Sequence, residues 1–272
     1  MVLYLWQKNK NKMKIFNTNL NIKSLINPLG FEYGEDCFGP KVEQRTLDAI
    51  RHSLMNPHCE GPAVVYSIAM DVGKKIHKSV LEELHLLFGV VTYAAGKLGN
   101  EPVRSQGHIH SRSVYAKGWS TPEIYEIWQG KAIIYMQETA NDKPGRCFAV
   151  KAGIGDVVIV PPFWAHATIS ADPLVPLTFG AWCDRKYGFD YDEVRAHNGL
   201  AWYPVYRGDH LTWEPNKLYR SSELIEKIPA SYKSIGITPE KSIYRIFEDN
   251  PGIFEFVPKP YLIDRYWKNF TP

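Results

Sequence analysis

From Gly89 onward the chain alternates short apolar runs with glycine or proline breaks. The runs fall at residues 90–95, 96–100, 103–110, 124–128, 132–137, 147–151, 156–160, 166–170 and 177–182. Many short strands at this spacing predict an antiparallel sandwich or barrel. Within Gln129-Gly130-Lys131, Gly130 allows a positive φ and predicts a hairpin turn between two strands. Pro161-Pro162 cannot sit inside a central strand, so it predicts a strand end.

Outside this region the pattern is mixed. Leu47, Ile50 and Leu54 share one helical face, which predicts a helix over 43–55 ended by Asn56-Pro57. Residues 63–70 read as a strand. Residues 74–87 have helical spacing (Val80, Leu81, Leu84, Leu87), with Lys74, Lys75, His77 and Lys78 as an exposed face. A short helix capped by Ser221 or Ser222 is expected over 221–227. The aromatic, proline-rich end reads as a tail that wraps the barrel or packs on a second subunit. The expected division is a helical or irregular N-terminal extension (1–60), a barrel (61–200) and a C-terminal extension (201–272).

An apolar content of 44% with 22% charged residues fits a soluble globular chain, and a net charge of +3 gives no case for nucleic acid. The basic run Lys8-Asn9-Lys10-Asn11-Lys12 reads as a solvated, frayed terminus. Four scattered cysteines without CxxC spacing predict a reduced, cytoplasmic protein. The apolar start, Met1 to Trp6, is too short for a signal-peptide core, and its basic residues follow it. Met13 offers an alternative start. No apolar run approaches the roughly 20 residues that span a bilayer.

Three stretches carry the chemistry. They are Ser105-Gln106-Gly107-His108-Ile109-His110, then Thr121-Pro122-Glu123-Ile124-Tyr125 closed by Gly130, then Gly155 through Val160-Pro161-Pro162-Phe163-Trp164-Ala165-His166. Residues two apart on a strand point to one side, so His108 and His110 offer two imidazoles to one cavity. Glu123 can join from a neighbouring strand and His166 from a third. Three neutral imidazoles and a carboxylate make a divalent metal site with room for substrate oxygens or water. His52, His58, His77, His85, His197 and His210 lack companions at ligand spacing and read as core or surface residues. Tyr125 faces the same interior as Glu123, either to bond substrate or to pack as a core aromatic.

These motifs resemble the cupins, whose first motif is Gly-His-x-His followed by Glu-x₆-Gly and whose second is Gly-x₅-Pro with a trailing histidine. More narrowly, they resemble the cupin-type glucose-6-phosphate isomerases of archaea and bacteria. Arg45-Thr46-Leu47-Asp48-Ala49-Ile50-Arg51 and residues 89–107 are similar to the bacterial branch, and the whole resemblance covers 45–191. It implies a mainly β fold, the cupin double-stranded β-helix or jelly-roll barrel, here with N-terminal helices and a C-terminal extension. It implies one divalent metal ion per subunit, Fe2+ first and Mn2+, Zn2+ or Ni2+ as alternatives, held by His108, His110, Glu123 and His166. It also implies a sugar-phosphate substrate, a homodimer, no membrane or nucleic-acid partner, and a place in glycolysis and gluconeogenesis. Thr92, Ser105 and Gly107 match its phosphate-contact positions and Tyr191 fits a substrate-pocket residue of the family, whereas Arg104 is expected to alternate outward.

Three departures stand out. Residues 111–122 form a longer connection between the second histidine and the glutamate, with Arg112, Lys117 and Trp119 expected at the barrel mouth. Ser170 stands where asparagine is common, and Trp182 occupies a strand on which the family carries tyrosine. Aldose–ketose isomerisation moves hydrogen between C1 and C2, by proton transfer through an enediolate or by hydride shift. In both routes charge develops at O1 and O2, where a Lewis acid stabilises it. Glu123 and Tyr125 are the catalytic candidates. Glu123 reads mainly as a ligand, since a bound cation lowers its pKa and weakens it as a base. Mannose 6-phosphate is a further candidate substrate. Two alternatives are a cupin iron dioxygenase, marked by an apolar pocket, and a non-catalytic sugar-binding cupin, which tends to lose ligands.

Overall fold

The structure, a computed structural model, describes residues 16–272. The expectations for Met1 to Trp6, the 8–12 basic run and Met13 lie outside these residues. Two sheets face one another. The six-stranded sheet runs in the order Val157–Val160, Glu123–Gln129, Thr178–Asp184, Leu86–Tyr93, Val64–Met70, Glu43–Thr46, all antiparallel. The four-stranded sheet runs Ala165–Ser170, Ala132–Gln137, Cys147–Ala152, Leu224–Lys227, the last pair being parallel. From Glu123 to Asp184 the chain passes repeatedly between the sheets. That interleaving is the double-stranded β-helix of the cupins, and the fold is mainly β.

The turn at Gly130 has the expected positive φ of 78°. It is not a hairpin, however. Strand Glu123–Gln129 pairs in one sheet and Ala132–Gln137 in the other, so the turn carries the chain across the barrel. A glycine turn signals a reversal but does not name the partner strand. Pro161-Pro162 does end strand Val157–Val160.

The expected helix over 43–55 is replaced by strand Glu43–Thr46, helix Leu47–Ile50 and a 3-10 turn Arg51–Ser53. Thr46 starts the helix by accepting from the Ala49 N–H at 3.3 Å, while the residues before it complete the sheet edge. Leu47, Ile50 and Leu54 are nonetheless all buried, so the apolar spacing marked a core-facing set. Residues 74–87 hold a 3-10 turn and a short helix, Lys78–Glu83, before strand Leu86–Tyr93 begins. The expected helix over 221–227 is strand Leu224–Lys227 instead, added at the edge beside Cys147–Ala152. An open sheet edge outweighs a weak local cap.

Residues beyond 200 cover the outer faces of both sheets. Helix Ile243–Asp249, capped by Ser242, lays Tyr244 and Phe247 around the fully buried Trp182. Its first N–H, Ile243, donates to the Glu126 carboxylate at 2.7 Å. On the other sheet, Trp213 and Tyr219 pack with Tyr135, Ala149 and Ala167 in a second apolar cluster. With both backs covered, the space between the sheets is left for the site. Among the described residues no helix is long and apolar enough to cross a membrane.

Candidate metal centre

The four ligand candidates arrive from three separate pieces of backbone. Strand alternation turns Glu123 and Tyr125 inward and Ile124 and Glu126 outward. On the facing sheet it turns His166 and Thr168 inward. His108 is tied to His166 by a pair of backbone bonds, His108 N–H to His166 O at 3.0 Å and His166 N–H to His108 O at 2.9 Å. His110 follows two residues on, and its ring lies 5.2 Å from that of His108. The donor atoms of His108, His110, Glu123 and His166 all lie within 4.8 Å of one another.

Hydrogen bonding sets the tautomers. His110 Nδ1 donates to the Thr121 carbonyl at 2.9 Å, and His166 Nδ1 donates to the Trp164 carbonyl at 3.1 Å. A neutral ring that donates from Nδ1 presents a bare lone pair at Nε2. The Nε2 atoms of His108, His110 and His166 are buried without a hydrogen-bond partner. Such orphaned atoms are costly unless something binds them. Burial, and then the neighbouring imidazoles, hold the His108 pKa well below its ordinary value; burial likewise lowers that of His166. Three imidazole nitrogens and one carboxylate therefore converge, a donor set suited to a divalent cation.

Glu123 is held at both oxygens. Tyr125 donates its hydroxyl to Oε2 at 2.6 Å, and the Cys183 thiol approaches Oε1 at 3.3 Å. Cys183 is one of the four scattered cysteines, and its place on the inward face of strand Thr178–Asp184 gives it this contact. Trp182, the neighbour singled out in the sequence, points to the opposite face and donates to the Ile243 carbonyl.

The phosphate-contact expectations divide. Ser105 and Tyr191 line the cavity. Gly107, with φ of 93°, shapes the approach to His108. Thr92 requires a correction: Gly89, Val91 and Tyr93 line the cavity from its strand, so Thr92 faces the other way and bonds Thr178 Oγ1 at 3.0 Å. Arg104 does turn from the cavity, buried and ion-paired with Glu101 at 2.6 Å. His52, which had no companion in sequence, reaches Gln106 Oε1 at 2.9 Å beside the cavity. The long 111–122 connection does not line the cavity. Its Arg112 and Trp119 lie on Phe163, and its Lys117 lies on Tyr261.

Comparison with known proteins supplies the decisive observation. The sequence model of the family described as Glucose-6-phosphate isomerase (GPI) matches residues 54–220. The chain belongs to this family. It is 29% identical over 207 residues to the Glucose-6-phosphate isomerase of Thermococcus litoralis, covering 76% of this chain and 90% of that one. It is 32% identical over 118 residues to Putative glucose-6-phosphate isomerase 1 of Rhizobium meliloti (strain 1021), and 31% identical over 114 residues to the Glucose-6-phosphate isomerase of Thermococcus kodakarensis. Each of these two alignments covers 42% of this chain, and the chain spans about half of those relatives (49% and 54%). Partial likenesses to solved structures include the vicilin of Corylus avellana (TM-score 0.35, 11% identity, 48% of this chain and 33% of that one). Another is an oxalate oxidase (TM-score 0.31, 13% identity, 39% and 46%).

Proposed function

We propose that the chain interconverts glucose 6-phosphate and fructose 6-phosphate between its two sheets, with one divalent cation per subunit. The observation that carries this reading is the set of three orphaned imidazole nitrogens closing on one carboxylate. His108, His110 and His166 would hold the cation through Nε2 and Glu123 through its carboxylate. Fe2+ stands first, with Mn2+, Zn2+ and Ni2+ compatible with the same donors. Bound there, a divalent cation supplies Lewis acidity toward the O1 and O2 oxygens of the sugar, where charge develops.

The chain's own side chains do the rest. Tyr125 keeps its proton, since burial and then the Glu123 charge hold its pKa well above the ordinary value. It thereby fixes the carboxylate from one side. Phe179, Ala181 and Phe189 form apolar walls that limit water around the reacting carbons. Ser105 and Tyr191 stand for the phosphate end of the substrate. The four free cysteines are all buried, in keeping with a reducing cytoplasm. A homodimer is the assembly we adopt, with the edge strand Leu224–Lys227 and the exposed Ile228 as the surface that suits it; light scattering tests this.

The test of the function is substitution at the centre. His108→Ala and His166→Ala should each abolish isomerisation and metal retention while circular dichroism shows an intact β fold. Full activity in either variant would refute the assignment.

A further inference from the structure

Three of the four ligand candidates, His108, Glu123 and His166, line the cavity, and so does a single guanidinium. Of all the lysines and arginines among the described residues, only Arg45 lines the cavity. Arg45 sits on strand Glu43–Thr46, the outermost of the six-stranded sheet and four strands across from Glu123. Its cross-strand partner is Tyr66, whose ring stacks on Tyr93 at 4.8 Å. Tyr191 also lines the cavity, with its ring 5.9 Å from His108 and the Arg195 guanidinium 4.7 Å above it. Burial raises the pKa values of both Tyr66 and Tyr191, and Arg45 lies close enough to offset part of each rise. Gln106, also in the lining, accepts from His52 at 2.9 Å and Arg195 at 3.4 Å through Oε1. Neither bond uses its amide nitrogen.

We propose that Arg45 clamps the substrate phosphate, with Gln106 and Tyr191 as neutral donors beside it. Through this clamp the cavity selects phosphorylated over unphosphorylated sugars. This rests on the isomerase reading and adds a residue to it. The residues lining this cavity offer a phosphate dianion aromatic walls and one carboxylate, Glu123, while the Glu43 carboxylate is paired with Arg45. Hydroxyls and amides can bond the dianion's oxygens but cannot balance its charge. A guanidinium does both, with two parallel N–H donors to two phosphate oxygens. Without substrate, Arg45 pairs with Glu43, whose side chain is 60% exposed. An exposed pair is weak, so exchanging that carboxylate for a dianion is favourable.

The test compares the parent with Arg45→Met and Arg45→Lys. Arg45→Met should raise the KM for fructose 6-phosphate about 10- to 100-fold, the range expected for losing a charge-assisted hydrogen bond, and change kcat much less. Competitive inhibition by inorganic phosphate should weaken in parallel, and Arg45→Lys, which keeps the charge, should recover part of both. A KM and a phosphate inhibition constant within twofold of the parent would overturn the clamp. Equal losses in both variants with a lowered melting temperature would also overturn it, as a packing effect. Calorimetric titration of parent and variants with inorganic phosphate alone needs no turnover. It therefore tests the clamp even if the parent proves inactive, an outcome that counts against the isomerase reading.

Discussion

Tyr125 donates its hydroxyl to Glu123 Oε2 at 2.6 Å from two positions along the same strand. The pair is built in by strand alternation, and the same oxygen lies 3.2 Å from His110 Nε2 and 3.4 Å from His166 Nε2. Tyr125→Phe removes the donor and keeps the ring. A hydrogen bond to a charged group contributes about 1.5–3 kcal/mol, so kcat/KM should fall roughly 10- to 100-fold. Steady-state kinetics with metal content measured alongside checks this; parent-like kinetics would remove Tyr125 from the account.

Gly107 carries φ of 93° directly before His108, and a Cβ there would lie 2.8 Å from Leu200 Cδ1. Gly107→Ala therefore combines backbone strain with overpacking, together about 2–4 kcal/mol. Thermal melts should show the loss, and metal content should drop because His108 is displaced. An unchanged melting temperature would mean that the turn relaxes freely.

Thr92 and Ser105 were both candidates for phosphate contact, yet only Ser105 reaches the cavity. Thr92→Val should leave the KM for fructose 6-phosphate unchanged and cost about 1–2 kcal/mol of stability, because Thr178 loses its buried partner. Ser105→Ala should raise KM. The opposite pattern would reverse the strand facing described above.

Glu126 gives a pH signature away from the centre. Burial raises its pKa to about 7, against the N–H donors of Ile243 and Trp128 that favour the charged form. Between about pH 4.5 and 7 the folded state keeps a proton that the unfolded state has released. Stability from this group therefore falls as pH rises through that window, by on the order of 3 kcal/mol in all, and is level above it. Urea unfolding at several pH values should show that the parent loses stability relative to Glu126→Gln as pH rises. A constant difference between the two would contradict the assignment.

Much of the centre was legible in sequence, for a physical reason. Strand alternation and the Gly-His-x-His, glutamate and Pro-Pro-x-Trp-x-His segments are local patterns, and they put His108, His110, Glu123 and His166 on inward faces. What sequence could not show was pairing. The Gly130 turn looked like a hairpin and proved to be a crossing between sheets. Thr92 was assigned one residue from the inward register of its strand, and a one-residue shift moves a side chain to the opposite face. Arg45 lines the cavity and Cys183 meets Glu123 only because the fold brings distant strands together. Helix Ile243–Asp249 lacked a sequence signal strong enough to predict, although it buries Ile243, Tyr244, Ile246 and Phe247 in the core.

The central claim is that turnover needs a cation held by three imidazoles and Glu123. It is tested most directly by following fructose 6-phosphate conversion in a coupled assay after chelation, with metal content determined on the same sample. The account predicts that activity disappears with the metal and returns when Fe2+, Mn2+, Zn2+ or Ni2+ is restored to the parent, but not to His166→Ala. Undiminished conversion by metal-free protein would contradict it.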